Sequence, residues 1–274
     1  EYTDYQKLFF KSGQGVYDKE QKCLAFARYT VCDFATYFNA LSYRKWKKHS
    51  KAGKIYLKLE AKGSFELVLS GYHRIEEAAK RVTFLKKEFD FAERKEIIVE
   101  VPENKETLVG FELRMHTDSM VYGGGYFTDI PEKELNEVRL SIATTTFKKE
   151  DFIRKNIKMI KEELLANDDI VSRNLYVHVV DNDEGHVLKR EEIEGKHVFY
   201  HPNKNVGGSG GFTRGMIESL QQEPKATHVL MMDDDIVVLS ESIRRTYILL
   251  LTLKEKYKEY VISGAMLCYE QMDV

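Results

Sequence analysis

Before residue 123 the chain alternates apolar and polar positions with period two, the spacing of side chains on the two faces of a strand. Residues 55–61 and 64–69 alternate most clearly, and Lys62-Gly63 between them reads as a tight turn. Further extended candidates are residues 25–34, 82–91, 96–101 and 107–115, which are rich in β-branched and aromatic side chains. A helical piece is expected around 39–48. Several short strands broken by turn signals predict a β-sandwich or jelly-roll-like module. Gly123-Gly124-Gly125, and then Pro131, read as the linker that leaves it.

From Val138 the pattern becomes strand alternating with helix. Residues 138–145 form a strand candidate, after which Phe152, Ile153, Ile157, Ile160 and Leu164 fall on one helical face. Residues 175–180, ending at Asp181, give a second strand, and 198–200 a short third. A helix is expected over 212–222, a strand over 228–232, a helix from Ser240 to about residue 257, and a strand from Tyr260. This βαβ succession predicts a mostly parallel sheet, with ligands bound beyond the carboxyl ends of its strands. The expected organisation is α/β plus β: a sandwich domain over residues 1–135 and a Rossmann-like α/β domain over 136–274.

Composition narrows the class. The 42 Lys and Arg against 44 Asp and Glu leave a net charge of −2, with no basic footprint for nucleic acid. The 16 Tyr and 15 Phe exclude a disordered chain. No apolar run approaches the ~18 residues of a membrane span, and no signal-peptide pattern is present. Cys23, Cys32 and Cys268 cannot all pair and form no CxxC, so neither a disulfide scaffold nor a cysteine zinc site is expected. A reducing cytoplasm is the simplest compartment.

Asp233-Asp234-Asp235 is the sharpest local feature, directly after an apolar strand. In an extended segment, residues i and i+2 point the same way, so Asp233 and Asp235 can converge on one hard divalent cation such as Mg²⁺ or Mn²⁺. A solvated acidic turn ahead of a helix fits the same residues. The run His201 to Gly215 carries five glycines and leads straight into a helix, where backbone can approach an anionic ligand closely. It is neither a Walker loop nor GxGxxG, and a flexible loop is the plainer alternative. Asn203 and Asn205 add amides suited to a ribose or base, and Arg214 faces either a phosphate or solvent. Two strand ends complete the set: Thr144-Thr145-Thr146-Phe147, and Asp181-Asn182, which taken alone is an ordinary turn. The eight His show no HxH or HExxH spacing, and no GxSxG elbow is present. Trp46 suits core packing better than a sugar platform.

In this order and spacing, the motifs resemble the nucleotide-sugar-binding half of a GT-A glycosyltransferase. Asn205-Val-Gly-Gly-Ser-Gly-Gly-Phe-Thr-Arg-Gly-Met and His228-Val-Leu-Met-Met-Asp-Asp-Asp-Ile are similar to the galactofuranosyltransferase group of the family-2 glycosyltransferases. The motif resemblance covers residues 138–266. It implies a β-sandwich ahead of a GT-A domain, UDP-galactofuranose as donor, and a glycan or lipid-linked glycan as acceptor in cell-surface polysaccharide synthesis. Carried over by position, nucleotide-sugar contacts fall on Thr145, Thr146, Phe147, Lys149, Asp181, Asn182, Asn205, Gly208, Asp233 and Asp234, with Asp233 and Asp235 on Mn²⁺ or Mg²⁺. Lys149 stands near where the family often has Arg; it keeps the charge and loses the planar fork. The family places its catalytic base and a metal-binding His later than Val274, so the resemblance implies a chain incomplete at its C-terminus. It also implies a cytoplasmic protein, peripheral at the inner membrane face, with a homo-oligomer left open. Rival readings are a GT-A transferase for another UDP-hexose, a glycan-binding protein with a non-catalytic second half, and a nucleotide-binding regulator.

Overall fold

The computed structural model describes residues 6–12, 14–75, 78–185 and 187–266. It divides into two compact units: residues up to Glu132 together with those from Lys254 on, and Lys133–Leu253.

The first unit is an antiparallel β structure. It contains the short helix α1 (Gln6–Phe9), strands β1 (Lys11–Ser12), β2 (Gly15–Asp18), β3 (Cys23–Phe26) and β4 (Val31–Asp33), and helix α2 (Tyr43–His49). Strands β5 (Ile55–Ile75), β6 (Ala78–Glu100), β7 (Leu108–Met115) and β8 (Ser119–Thr128) follow. The alternating runs expected as four short strands are two long ones. Lys62-Gly63 is no reversal: β5 continues through it with a register irregularity at Ala61/Gly63, where Gly63 has φ +113. A left-handed glycine lets a strand bulge and bend without ending it. β6 pairs β5 along nearly its whole length, while β8 pairs its first part and β7 its last. Since a strand has two edges, β7 and β8 share the one opposite β6. Alternate β5 side chains Leu57, Leu59, Ala61, Phe65, Leu67 and Leu69 enter one core with Phe34, Phe111 and Leu113. Trp46 packs against it, partly buried.

Three further expectations are corrected. Residues 25–34 are two strands, broken at Tyr29, whose φ is +63. Gly123-Gly124-Gly125 is not a linker but the middle of β8, opposite Glu60, Leu59 and Lys58. A Cβ on Gly124 would meet the Lys58 carbonyl oxygen at 2.5 Å, so close strand approach accounts for that glycine. Residues 260–266 run exposed, without regular secondary structure, because alternation makes a strand only where a ladder partner receives it. Lys254 ends on α2 instead, its Nζ donating to the carbonyls of Lys47 and Lys48 at 2.8 and 3.1 Å. A cation suits those unpaired terminal carbonyls. Cys23 and Cys32 are buried and free; Cys268 lies outside the described residues.

The second unit carries a four-stranded parallel sheet, in the order β11 (Val198–Pro202), β10 (Leu175–Asp181), β9 (Leu140–Thr146), β12 (His228–Asp233). Its helices are α3 (Glu150–Met159), continued by a wider π-helical stretch Ile160–Leu165, then α4 (Ile170–Asn174), α5 (Arg190–Ile193), α6 (Gly207–Gln221) and α7 (Ser240–Thr252). All seven residues of β10 are buried, as a central parallel strand requires. Helix α7 stops at Thr252, short of the expected end. Asn136 Nδ2 closes it by donating to the carbonyls of Leu250 and Leu253.

Candidate functional site

The carboxyl ends of β9, β10 and β12 stand side by side, because the three strands are parallel and in register. Val180 lies opposite Thr145, Asp181 opposite Thr146, and Asp233 opposite Thr145. Helix α6 closes the fourth side. Its approach depends on Gly211 and Gly215, one turn apart: a Cβ on Gly211 would fall 1.9 Å from Thr145 Oγ1, and one on Gly215 would fall 2.8 Å from Ala143 Cβ. A buried hydroxyl pair, Ser141 Oγ and Ser219 Oγ at 2.7 Å, ties helix to strand. The expected glycine loop is thus the helix itself, which begins at Gly207 (φ +75) rather than at Phe212. Asn205 Oδ1 accepts from Gly207 N at 3.1 Å and sets that entry.

These elements enclose an open cleft of about 310 Å³. Thr145, Thr146, Phe147, Lys149, Asn182, Asn205, Gly208, Asp233 and Asp234 all line it, joined by Gly207 and Phe212. Four segments far apart in sequence therefore meet in one place. Asn182 is held by two contacts: its Nδ2 donates to the Gly207 carbonyl at 3.2 Å, and its Oδ1 accepts from Asn203 Nδ2 at 2.9 Å. Thr146 Oγ1 is buried and makes no hydrogen bond within the protein. A buried hydroxyl at a cleft wall with no protein partner is satisfied most cheaply by a ligand or water.

Two expected residues stand apart. Asp181 is buried, and its carboxylate accepts from Tyr200 OH at 2.7 Å and from Asp183 N at 2.9 Å. It braces the strand end rather than lining the cleft. Burial first, and this bond second, push the Tyr200 phenol well above its usual range. Asp235 sits beside the cleft, with Oδ2 3.6 Å from Lys149 Nζ. Lys149 thus offsets part of the repulsion within the acidic run. Among the described residues, no group of three or more His, Cys, Asp or Glu is arranged to hold a metal ion.

Two residues to which the sequence assigns no role of their own shape the site. Phe212 was visible in the Gly-Gly-Phe run, yet its place on the wall follows from the helix starting early. Asn156 is buried in α3 and donates through Nδ2 to the carbonyls of Asp234 and Ile236, both at 3.0 Å. It fixes the backbone of the acidic turn, and nothing in its sequence neighbourhood signals that role.

No known family model matches the chain. Its sequence is similar to the galactofuranosyltransferase GlfT2 of Mycolicibacterium smegmatis, 24% identical over 225 residues, covering 77% of this chain and 33% of the relative. GlfT2 of Mycobacterium tuberculosis is 24% identical over 223 residues, with the same coverage. The chain therefore spans about a third of the length of these relatives. Solved structures align loosely. The CBM22-1-GH10 modules of Clostridium thermocellum xylanase 10B cover 68% of this chain (35% of that one) at TM-score 0.28 and 9% identity. TmCBM61 in complex with β-1,4-galactotriose covers 46% (93% of that chain) at TM-score 0.27 and 9% identity. Among the described residues, no helix is long and apolar enough to cross a membrane.

Proposed function

We propose that the cleft at the ends of β9, β10 and β12 binds the nucleoside diphosphate of a sugar donor, and that the chain is the donor-binding part of a glycosyltransferase. The observation that carries this reading is the convergence of the Thr-Thr-Phe, Asn182, Asn205-to-Phe212 and Asp-Asp segments on one wall. Beyond the carboxyl ends of parallel strands, and before a helix N-terminus, a phosphate group finds unpaired N–H donors and a favourable dipole. Asn182, Asn205 and the Thr146 hydroxyl supply groups for base and ribose, and Phe147 and Phe212 supply apolar surface. Lys149 offers the diphosphate a cation.

The distant similarity to galactofuranosyltransferases supports UDP-galactofuranose as donor and a cell-surface glycan, free or lipid-linked, as acceptor. A GT-A type of domain follows from the same resemblance and is consistent with the parallel sheet. Asp233 on the cleft wall and Asp235 beside it would hold Mn²⁺ or Mg²⁺, hard cations that suit carboxylate and phosphate oxygens. The ion would stabilise the leaving nucleotide. Asp233 and Asp234 are the only carboxylates on the wall among the described residues, so the test is one of donor binding rather than turnover.

Calorimetric titration of UDP, with and without Mn²⁺, is the direct test. Metal-enhanced binding that disappears in Asp235→Ala, and weakens about tenfold in Asn182→Ala, is the expected result. Titrations with UDP-galactofuranose, UDP-galactopyranose and UDP-glucose then rank the sugars. Loss of all UDP binding by a folded chain overturns the reading.

A further inference from the structure

A second cleft, of about 480 Å³, opens beside the first and is lined by Glu184, Pro202, Asn203, Lys204, Val206 and Arg214. Neighbouring residues of one loop serve both: Asn205 and Gly207 face the first cleft, and Asn203, Lys204 and Val206 the second. Two of the six side chains are cationic. Lys204 is exposed, while Arg214 is held by Glu218, whose Oε1 accepts from both Nε and Nη2 at 2.6 Å.

That carboxylate has a second suitor. His201 Nδ1 lies 3.8 Å from the same Oε1. His201 belongs to a chain whose proton positions follow from its ends. Gln222 Nε2 donates to the Pro224 carbonyl at 3.0 Å, so its Oε1 is the atom 2.9 Å from His178 Nε2. An amide oxygen only accepts, so His178 carries its proton on Nε2. Its bare Nδ1 then accepts from His201 Nε2–H, also at 2.9 Å. Neutral His201 therefore has a bare Nδ1 facing Glu218. A further proton has one comfortable place, that nitrogen, because protonating His178 Nδ1 would set two N–H groups head to head.

We propose that the second cleft is a binding subsite for a tetrahedral oxyanion, a phosphoryl group in particular, and that protonation of His201 makes Arg214 available to it. Charged His201 draws Glu218 to itself and loosens its hold on Arg214, whose planar fork suits phosphate oxygens. The groups facing His201 are Glu218 and Arg214 on α6, His178 on β10 and Arg190 on α5. Desolvation by burial dominates and lowers its basicity, Glu218 raises it, and the three basic neighbours lower it further. The release thus operates below the ordinary imidazole range. Glu184, which also lines this cleft, opposes an anion and bounds the affinity. This subsite stands independently of the donor reading.

Sulfate is the probe, because it stays dianionic across the range. Titration followed by ¹⁵N-edited NMR should show binding to the intact chain about 2- to 5-fold tighter at pH 5.5 than at pH 8, the range a partly exposed ion pair governs. Glu218→Gln should bind tightly at both values, and His201→Gln should lose the dependence. Arg214→Ala should lose binding, and Glu184→Gln should strengthen it. Histidine ring ¹⁵N shifts should report His178 protonated on Nε2 and His201 on Nε2 at pH 8. Binding of glycerol phosphate that needs Arg214 would identify a soluble source. Arg214-dependent sedimentation with phosphatidic acid vesicles, over plain phosphatidylcholine, would identify a lipid headgroup. Sulfate binding equal in Arg214→Ala and the parent chain would overturn the subsite. Equal affinity at both pH values in the parent chain, or the opposite His178 tautomer, would overturn the release.

Discussion

One amide holds the acidic turn in place. Asn156 donates to two backbone carbonyls from a buried position. Asn156→Ala should cost about 1–3 kcal/mol, the net worth of two part-buried hydrogen bonds. UDP affinity should fall at least threefold, since Asp233 and Asp234 lose their fixed backbone; calorimetry and urea titration read the two effects. A second residue-scale consequence concerns pH. Burial lowers the pKa of both His178 and His201. The unfolded chain, with ordinary imidazoles near 6.5, then binds more protons than the folded one as the solution acidifies. Their contribution is fully present above about pH 6.5 and is lost as pH falls through the lowered folded values. The midpoint of urea unfolding should therefore drop between about pH 6.5 and 5, and His201→Gln should flatten that slope.

Two glycine sets separate close approach from open surface at the scale of the element. Gly211 lets α6 lie against β9, and Gly211→Ala puts a methyl onto Thr145. Overpacking of this kind costs about 1–3 kcal/mol, and here it also displaces a wall of the cleft, so UDP affinity should fall with stability. Gly125 in β8 has nothing within 4 Å of the point where a Cβ would stand, and no positive φ. Gly125→Thr should accordingly be neutral or stabilise by up to about 1 kcal/mol, since a β-branched residue favours an extended strand. Thermal unfolding of the two variants side by side checks the contrast. Length, too, was an element-scale matter: a run of alternation tells where a strand can be, and the Gly63 bulge decides that two such runs are one strand.

Across the whole molecule, two compact units each have their own interior. Phe65 is fully buried in the first core. Phe65→Ala should destabilise that unit by about 3–5 kcal/mol. UDP titration below the first unfolding transition should still succeed, because the cleft is built wholly from residues of the second unit. The sequence by itself determined the change from period-two strands to alternating strands and helices, and it marked nearly every residue lining the cleft. Both are local signals: side-chain periodicity follows from backbone geometry, and short polar or glycine-rich runs at strand ends leave a readable composition. Tertiary structure decided the rest. It turned Asp181 inward onto Tyr200, gave Asn156 to the acidic turn, placed the three glycines within a strand, and left residues 260–266 outside any sheet. Each of these depends on a partner distant in sequence, and a ladder, a buried hydrogen bond or a close approach is specified by both sides at once.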